Sequence, residues 1–224
     1  MDGVRFGYHQ DHTRWKWRQV HRKGWSHLRA GIADAKGKLV FPSCLLRTDS
    51  QETEDMVRPG VHWDVLHLHA HKVLIDGFLK LGIFKGDPEA ILQTGVTLSF
   101  FPHGLGHSLG LDVHDSLQYL RTTKTDSSET KSAPEKLFRY LRIRQVLEEN
   151  MVLTVEPGCY FPPQLMEEHG AWKSEFVDKE KLKEYCEVGG VRIEDVVVVR
   201  DGQCENLTTV GREREWIEKM CSGA

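Results

Sequence analysis

From Pro59-Gly60 onward the order of apolar and polar positions is regular enough to place elements. Asp64 stands where it can cap a helix running to about Leu81, with Gly82 as its stop. Leu68, Ile75, Phe78 and Leu79 supply the buried stripe of that helix. Asp87-Pro88 turns the chain into a short helix toward Ile91-Leu92, and the apolar stretch Val96 to Phe101 leads into a segment rich in glycine and histidine. Residues 116–136, dominated by Ser, Thr, Lys and Glu, read as a polar surface insertion. Strands follow. Met151 to Glu156 is closed by a Pro157-Gly158 turn, a helix falls within 164–185, and Gly189-Gly190 opens a long strand from Val191 to Val199. Asp201-Gly202 is a hairpin signal into Glu205 to Thr208. Arg212 to Met220 fits a terminal helix with Trp216, Ile217 and Met220 turned inward. The pattern predicts an α+β protein with a mostly antiparallel sheet. Residues 1 to about 50 show no period of 2 or 3.6, and bases alternate there with tryptophans from Arg14 to Trp25.

Bulk composition narrows the function classes. The 224 residues, 39% hydrophobic and 28% charged, suffice for one substantial domain with its own core, or two small ones. A net charge of -3 gives no electrostatic case for nucleic acid or an anionic membrane, so the tryptophan-rich start stands without a supporting motif. No apolar run reaches the length of a membrane span, and Met1 to Phe6 lacks the layout of a signal peptide. Cys44, Cys159, Cys186, Cys204 and Cys221 are odd in number and never form a C-x-x-C pair. Free thiols in a reducing, cytoplasmic setting are the expectation.

Two distant stretches carry groups suited to a metal. One is Phe101-Pro102-His103-Gly104-Leu105-Gly106-His107, with His114 beyond it; the other is a pair of apolar strands with one glutamate each, Glu156 and Glu194. A carboxylate within a β-branched strand is costly to bury unless it is paired or bound to a cation. Arg192 shares a strand face with Glu194, which leaves a plain ion pair as an alternative, and Glu156 alone could be a strand-end surface charge. The H-x-x-x-H spacing of His103 and His107 lacks the glutamate of a zincin helix and carries glycines instead. His62, His67, His69 and His71 read as a polar helix face.

The segments Pro102 to His107, Gly110 to Asp115, Thr154 to Gly158 and Gly190 to Asp195, in that order, closely resemble the pita-bread metallopeptidases. The likeness is closest to the Xaa-Pro aminopeptidase and prolidase branch, and Glu205 to Thr208 also fits it. It spans roughly residues 56 to 221. It implies a curved, mostly antiparallel sheet flanked by helices, and a dinuclear site, usually of two Mn²⁺ ions, held by two aspartates, one histidine and two glutamates. His107, Glu156 and Glu194 stand at the histidine and glutamate positions. His103 and His114 match histidines that contact substrate and stabilise the intermediate, Arg192 matches an active-site arginine, and Glu156 also matches a proton shuttle. Oxygen-rich ligation with one imidazole suits Mn²⁺.

The amino-terminal side departs from this pattern. Gly7 to Arg14 matches the second half of the family's aspartate motif, which makes Asp11 the expected bridging ligand. The first aspartate would fall just before Met1, and Asp2 is two positions out of register. The resemblance therefore implies that the family's amino-terminal domain and the first strands of its catalytic fold are missing. Residues 1–55 are expected to be a divergent segment, poorly ordered or the product of a shifted reading frame, with residues 56–224 forming the C-terminal part of the catalytic domain. The implied activity is a metal-dependent exopeptidase that releases the amino-terminal residue from Xaa-Pro peptides, in a chain able to form a homodimer. An Xaa-Pro dipeptidase (prolidase) and a non-catalytic pita-bread binding module are the alternatives.

Overall fold

The computed structural model describes residues 49–115, 127–187, 189–212, 216–217 and 219–220. Its longest element is helix α1, Trp63–Leu81, which ends at Gly82 in the left-handed conformation (φ 72°) that a residue without Cβ adopts at little cost. The start differs from the sequence expectation. His62 is the cap, its ring accepting from the Asp64 backbone N–H. Asp64 lies inside the first turn, where it is 1% exposed and takes a two-point ion pair from Arg144, 2.7 Å at the shorter contact. A buried carboxylate needs such a partner more than a helix needs that particular cap. Helix α2, Pro88–Thr94, starts as expected at Asp87, whose carboxylate accepts from Ala90.

Apolar residues of α1 meet a cluster of rings: Phe78 packs edge-on against Phe84 and Phe100 and stacks with Phe161 at 5.9 Å. Each such buried side chain contributes roughly 1.5–3 kcal/mol. The stretch Val96–Ser99 is a 3₁₀ turn packed under α1. Within the polar insertion, Ser128–Ser132 forms a short helix α3. The segment 164–185 holds two helices rather than one, α4 (Pro163–Glu168) and α5 (Lys179–Tyr185). At the carboxyl end Trp216 and Met220 are exposed, not inward. The apolar spacing is present there, but among the described residues these two side chains find no core to enter.

Among the described residues all strand pairs are antiparallel, in line with the expected mostly antiparallel sheet. Strand β1 (Val152–Val155) pairs with β4 (Asp195–Val198), and β2 (Gly158–Tyr160) pairs with β3 (Gly190–Arg192). Strand β5 (Glu205–Asn206) adds to β4 through the Gly202 turn (φ 88°). Residues 157 and 158 form no chain-reversing turn; the backbone runs on from β1 to β2. The expected long strand from Val191 is likewise split, between β3 and β4. Helical residues 49–56 lie against this sheet: Ser50 donates to the fully buried Asp195 at 3.0 Å, and Arg212 bridges Asp195 and Glu54 at 3.2 and 3.0 Å.

The histidines of α1 also differ from expectation. His69 is on the surface beside Glu52, whereas His67 and His71 are buried, with Nε2 atoms 3.2 Å apart. Leu137 O lies 2.8 Å from His67 Nε2, and a carbonyl only accepts, so that nitrogen carries the proton. Burial lowers the His67 pKa to about 4, and burial followed by the neighbouring His67 lowers that of His71 well below the ordinary value.

Between the folded and unfolded pKa values each of these rings takes up a proton only on unfolding, so stability falls as pH drops below about 6.5. Asp49 works the other way. Burial raises its pKa to about 7, and it binds a proton preferentially in the folded chain. Replacing His71 with the non-titrating Gln should remove about 1.4 kcal/mol per pH unit from the acid destabilisation. Urea melts of both proteins at about pH 7 and about pH 5 measure this; parallel pH dependences contradict it.

Candidate metal centre

Registers of the two ladders agree across the gap between them. Val155 faces Asp195 and Gly158 faces Arg192, so the intervening residues set Glu156 opposite Glu194 and Pro157 opposite Ile193. Pro157 has no N–H to give, which breaks the ladder at this point; one bond, from Ile193 N–H to Pro157 O at 3.3 Å, crosses the gap. Two carboxylates thus face each other in one strand pair. Like charges so placed repel.

The histidine comes from the third side. Residues 105–109 run antiparallel along β1: Glu156 N–H donates to Leu105 O (2.7 Å), Thr154 N–H to His107 O (2.8 Å), and Leu109 N–H to Val152 O (3.0 Å). Gly106 makes this approach feasible, since a Cβ there would sit 1.9 Å from the Thr154 carbonyl oxygen. His107 is 5% exposed and its Nδ1 lies 3.1 Å from Ser108 O, so Nδ1 donates there and Nε2 is the ring nitrogen left to face the glutamates. That nitrogen is 3.5 Å from Glu156 Oε1. One donor atom each of His107, Glu156 and Glu194 lie within 4.8 Å of one another. One imidazole nitrogen and two carboxylates converging in this way are a donor set that a divalent cation can satisfy together.

Surrounding groups refine this picture. Thr154 Oγ1 accepts from His107 N–H (2.9 Å) and donates toward Glu156 Oε1 (3.1 Å). Arg192 NH1 donates to Glu156 Oε2. Burial, then the charge of Glu156, raises the pKa of Glu194, as expected for facing acids. His103 lies apart from the cluster: Nδ1 is 2.8 Å from Gly104 O and Nε2 is 2.9 Å from the Tyr160 hydroxyl. His114 is exposed, its ring 4.4 Å from and perpendicular to that of His107, and its pKa is lowered by burial and then by Arg142. Asp11, Asp2 and the remainder of residues 1–48 lie outside the described residues. Thr154 and Tyr160 were not singled out by sequence reasoning, although Thr154 precedes Glu156 by two positions on the same strand face.

The donor set of two carboxylates and one imidazole fits a hard divalent ion such as Mn²⁺, and among the described residues no cysteine joins the cluster. Comparison with known proteins points the same way. Residues 45–201 match the family described as Metallopeptidase family M24. Over 167 residues the chain is 45% identical to a Botryotinia fuckeliana protein named Probable Xaa-Pro aminopeptidase, covering 74% of this chain and 34% of that protein. It is 44% identical over 172 residues to an uncharacterized peptidase of Saccharomyces cerevisiae, covering 74% and 30%. The structure is similar to Escherichia coli aminopeptidase P with the inhibitor Pro-Leu (TM-score 0.59, 28% identity, 83% of this chain and 35% of that one). This chain spans about a third of the length of these relatives. The architecture they share is the pita-bread fold.

Gly106→Ala is expected to force the histidine segment off β1, at a cost of roughly 1–3 kcal/mol, and to weaken divalent-metal binding with it. At Gly110 a Cβ would meet the movable Asp115 carboxylate, so Gly110→Ala serves as the comparison. Thermal melts and titration calorimetry with Mn²⁺ read both effects. Equal behaviour of the two variants would show that the close approach at Gly106 does not set the site.

Proposed function

The chain belongs to metallopeptidase family M24, and from that premise we propose that it carries the metal-binding part of an exopeptidase releasing the amino-terminal residue from Xaa-Pro peptides. The observation that carries this reading is the convergence of one donor atom each of His107, Glu156 and Glu194 within 4.8 Å. Asp11 is proposed as a further ligand, with two Mn²⁺ ions as the full complement. Bound there, divalent ions supply Lewis-acid chemistry, lowering the pKa of water and polarising an amide carbonyl.

The chain's own residues prepare that chemistry. His107 offers Nε2 because the Ser108 carbonyl holds the proton on Nδ1. Glu156 has its two oxygens divided, Oε2 toward Arg192 and Oε1 toward His107 and Thr154, so its orientation is set before any ion arrives. Glu194, whose pKa burial and Glu156 push up, is the carboxylate best able to hold a proton while the site is empty of positive charge. His114, exposed beside His107, is proposed to bind the substrate carbonyl side. A peptide bond to proline lacks an N–H, so a dedicated carbonyl-directed site is a reasonable means of cleaving it.

Among the described residues no helix is long and apolar enough to cross a membrane, and Cys159, Cys186 and Cys204 are free thiols. A cytoplasmic setting and a homodimer are part of the proposal.

Purified chain with added Mn²⁺ should cleave Ala-Pro peptides, and Glu194→Gln should reduce the rate by more than the roughly 10–100-fold typical of losing an outer-shell partner. Equal rates in the two proteins would reject the assignment.

A further inference from the structure

Three parts of the fold meet at the two buried histidines of α1. Phe101, at the head of the loop that carries His107, packs on both rings, 5.6 Å from His67 and 5.1 Å from His71. Phe138, from the 3₁₀ turn Glu135–Phe138, lies 5.9 Å from His67. Beyond that turn the backbone supports the same loop: a Cβ at Gly104 would sit 3.0 Å from Tyr140 O and 3.2 Å from Leu141 Cα. Helix, loop and turn are joined through His67 and His71.

A single proton holds the joint. Both rings are neutral near neutral pH, because burial lowers their pKa values. Leu137 O, 2.8 Å from His67 Nε2, can only accept, so that nitrogen carries the proton. His71 Nε2 lies 3.2 Å from the same nitrogen. Two N–H groups cannot face each other at that distance, so His71 presents a lone pair there and keeps its own proton on Nδ1. One N–H thus serves both the Leu137 carbonyl and the neighbouring ring. The two Nδ1 atoms, an acceptor on His67 and a donor on His71, are buried without a partner, which weakens the closed arrangement.

A second proton has no place here. On His71 Nε2 it would oppose the His67 N–H; on His67 Nδ1 it would make a charged ring whose new donor meets no acceptor. Asp64, three positions before His67 on α1, is already engaged by Arg144 at 2.7 Å, and Glu135 takes the same guanidinium at 2.9 Å. His103, from the loop, is neutral too, since burial and then Arg192 lower its pKa to about 3. The rings must therefore part from Leu137 and Phe101 before they charge. Once parted they bind protons with the ordinary imidazole pKa near 6.5, so acid favours the open form and rising pH closes it.

We propose that His67 and His71 form an acid-sensitive latch, whose protonation releases Leu137 and Phe101 from α1 and loosens the loop 101–107 without unfolding the β1–β4 ladder. The consequence for His107 rests on the metal-site reading above; the latch itself does not.

The test is native-state hydrogen exchange on the full chain without added metal, with ring-nitrogen NMR of the two histidines. The Phe101 and Leu141 amides, bonded to Thr97 O and Phe138 O, should exchange faster than the Val199 amide, which is bonded to Met151 O beside the ladder. After correction for intrinsic rates, their opening should increase by up to about 100-fold per pH unit between about pH 6 and about pH 5, tenfold for each ring. In His67→Gln/His71→Gln, where glutamine at 67 still offers Leu137 an N–H, the increase should fall below about twofold. The wild-type rings should carry their protons on Nε2 of His67 and Nδ1 of His71. Exchange of Phe101 and Leu141 at the Val199 rate overturns the proposal, as does faster exchange without the acid dependence. The opposite tautomer on either ring also overturns it, and decides the matter should the double variant fail to fold. Neither readout involves Mn²⁺, so a chain that takes up no metal defeats the function proposed above and leaves this inference to its own test.

Discussion

Two carboxylates are held face to face by a β-ladder that cannot move them apart. Glu156 and Glu194 oppose each other because the registers of β1–β4 and β2–β3 are one register, interrupted at Pro157. Sliding the strands by one residue would relieve the repulsion, but it would also turn the buried Leu153, Val155 and Val197 to the other face. The hydrophobic core therefore enforces the electrostatic conflict. Positive charge resolves it, and it arrives from two directions: Arg192 on the outer oxygen of Glu156, and the space beside His107 on the inner one.

Close backbone approach sets the precision of this arrangement. Gly106 lets the histidine segment lie against β1, while Gly158 and Gly190 leave room for the Tyr160 ring. None of the three has a positive φ; they are needed for space, not for conformation. A side chain at any of these positions meets backbone or an aromatic ring, groups with little freedom to yield. The site is thus shaped as much by absent Cβ atoms as by the donors themselves.

The sequence disclosed the donors better than their setting. His107, Glu156 and Glu194 could be singled out because a glycine-rich histidine segment and acids in apolar strands are each unusual, and because their order resembles one family. Their convergence depends on strand register across Pro157, where the local signal suggested a turn and the backbone instead continues. Helix α1 was legible from its apolar stripe and Gly82. Its cap was not, since Asp64 is drawn into an ion pair with Arg144, 80 positions away. His67 and His71 read as polar by residue type, yet they pack among Phe101 and Phe138. Tyr160 carries no signal of its own: its hydroxyl meets His103 Nε2 at 2.9 Å only once the fold brings positions 57 apart together. Long-range partners of this kind leave no mark on local periodicity.

One cation position is shared, on this reading, by the His107 imidazole and the two opposed glutamates. Anomalous diffraction from crystals grown with Mn²⁺ addresses it directly. A manganese peak bounded by His107 Nε2, Glu156 Oε1 and Glu194 is expected, with Arg192 still on Glu156 Oε2. A peak elsewhere, or crystals containing Mn²⁺ in which Glu156 and Glu194 have turned away from His107, would contradict it.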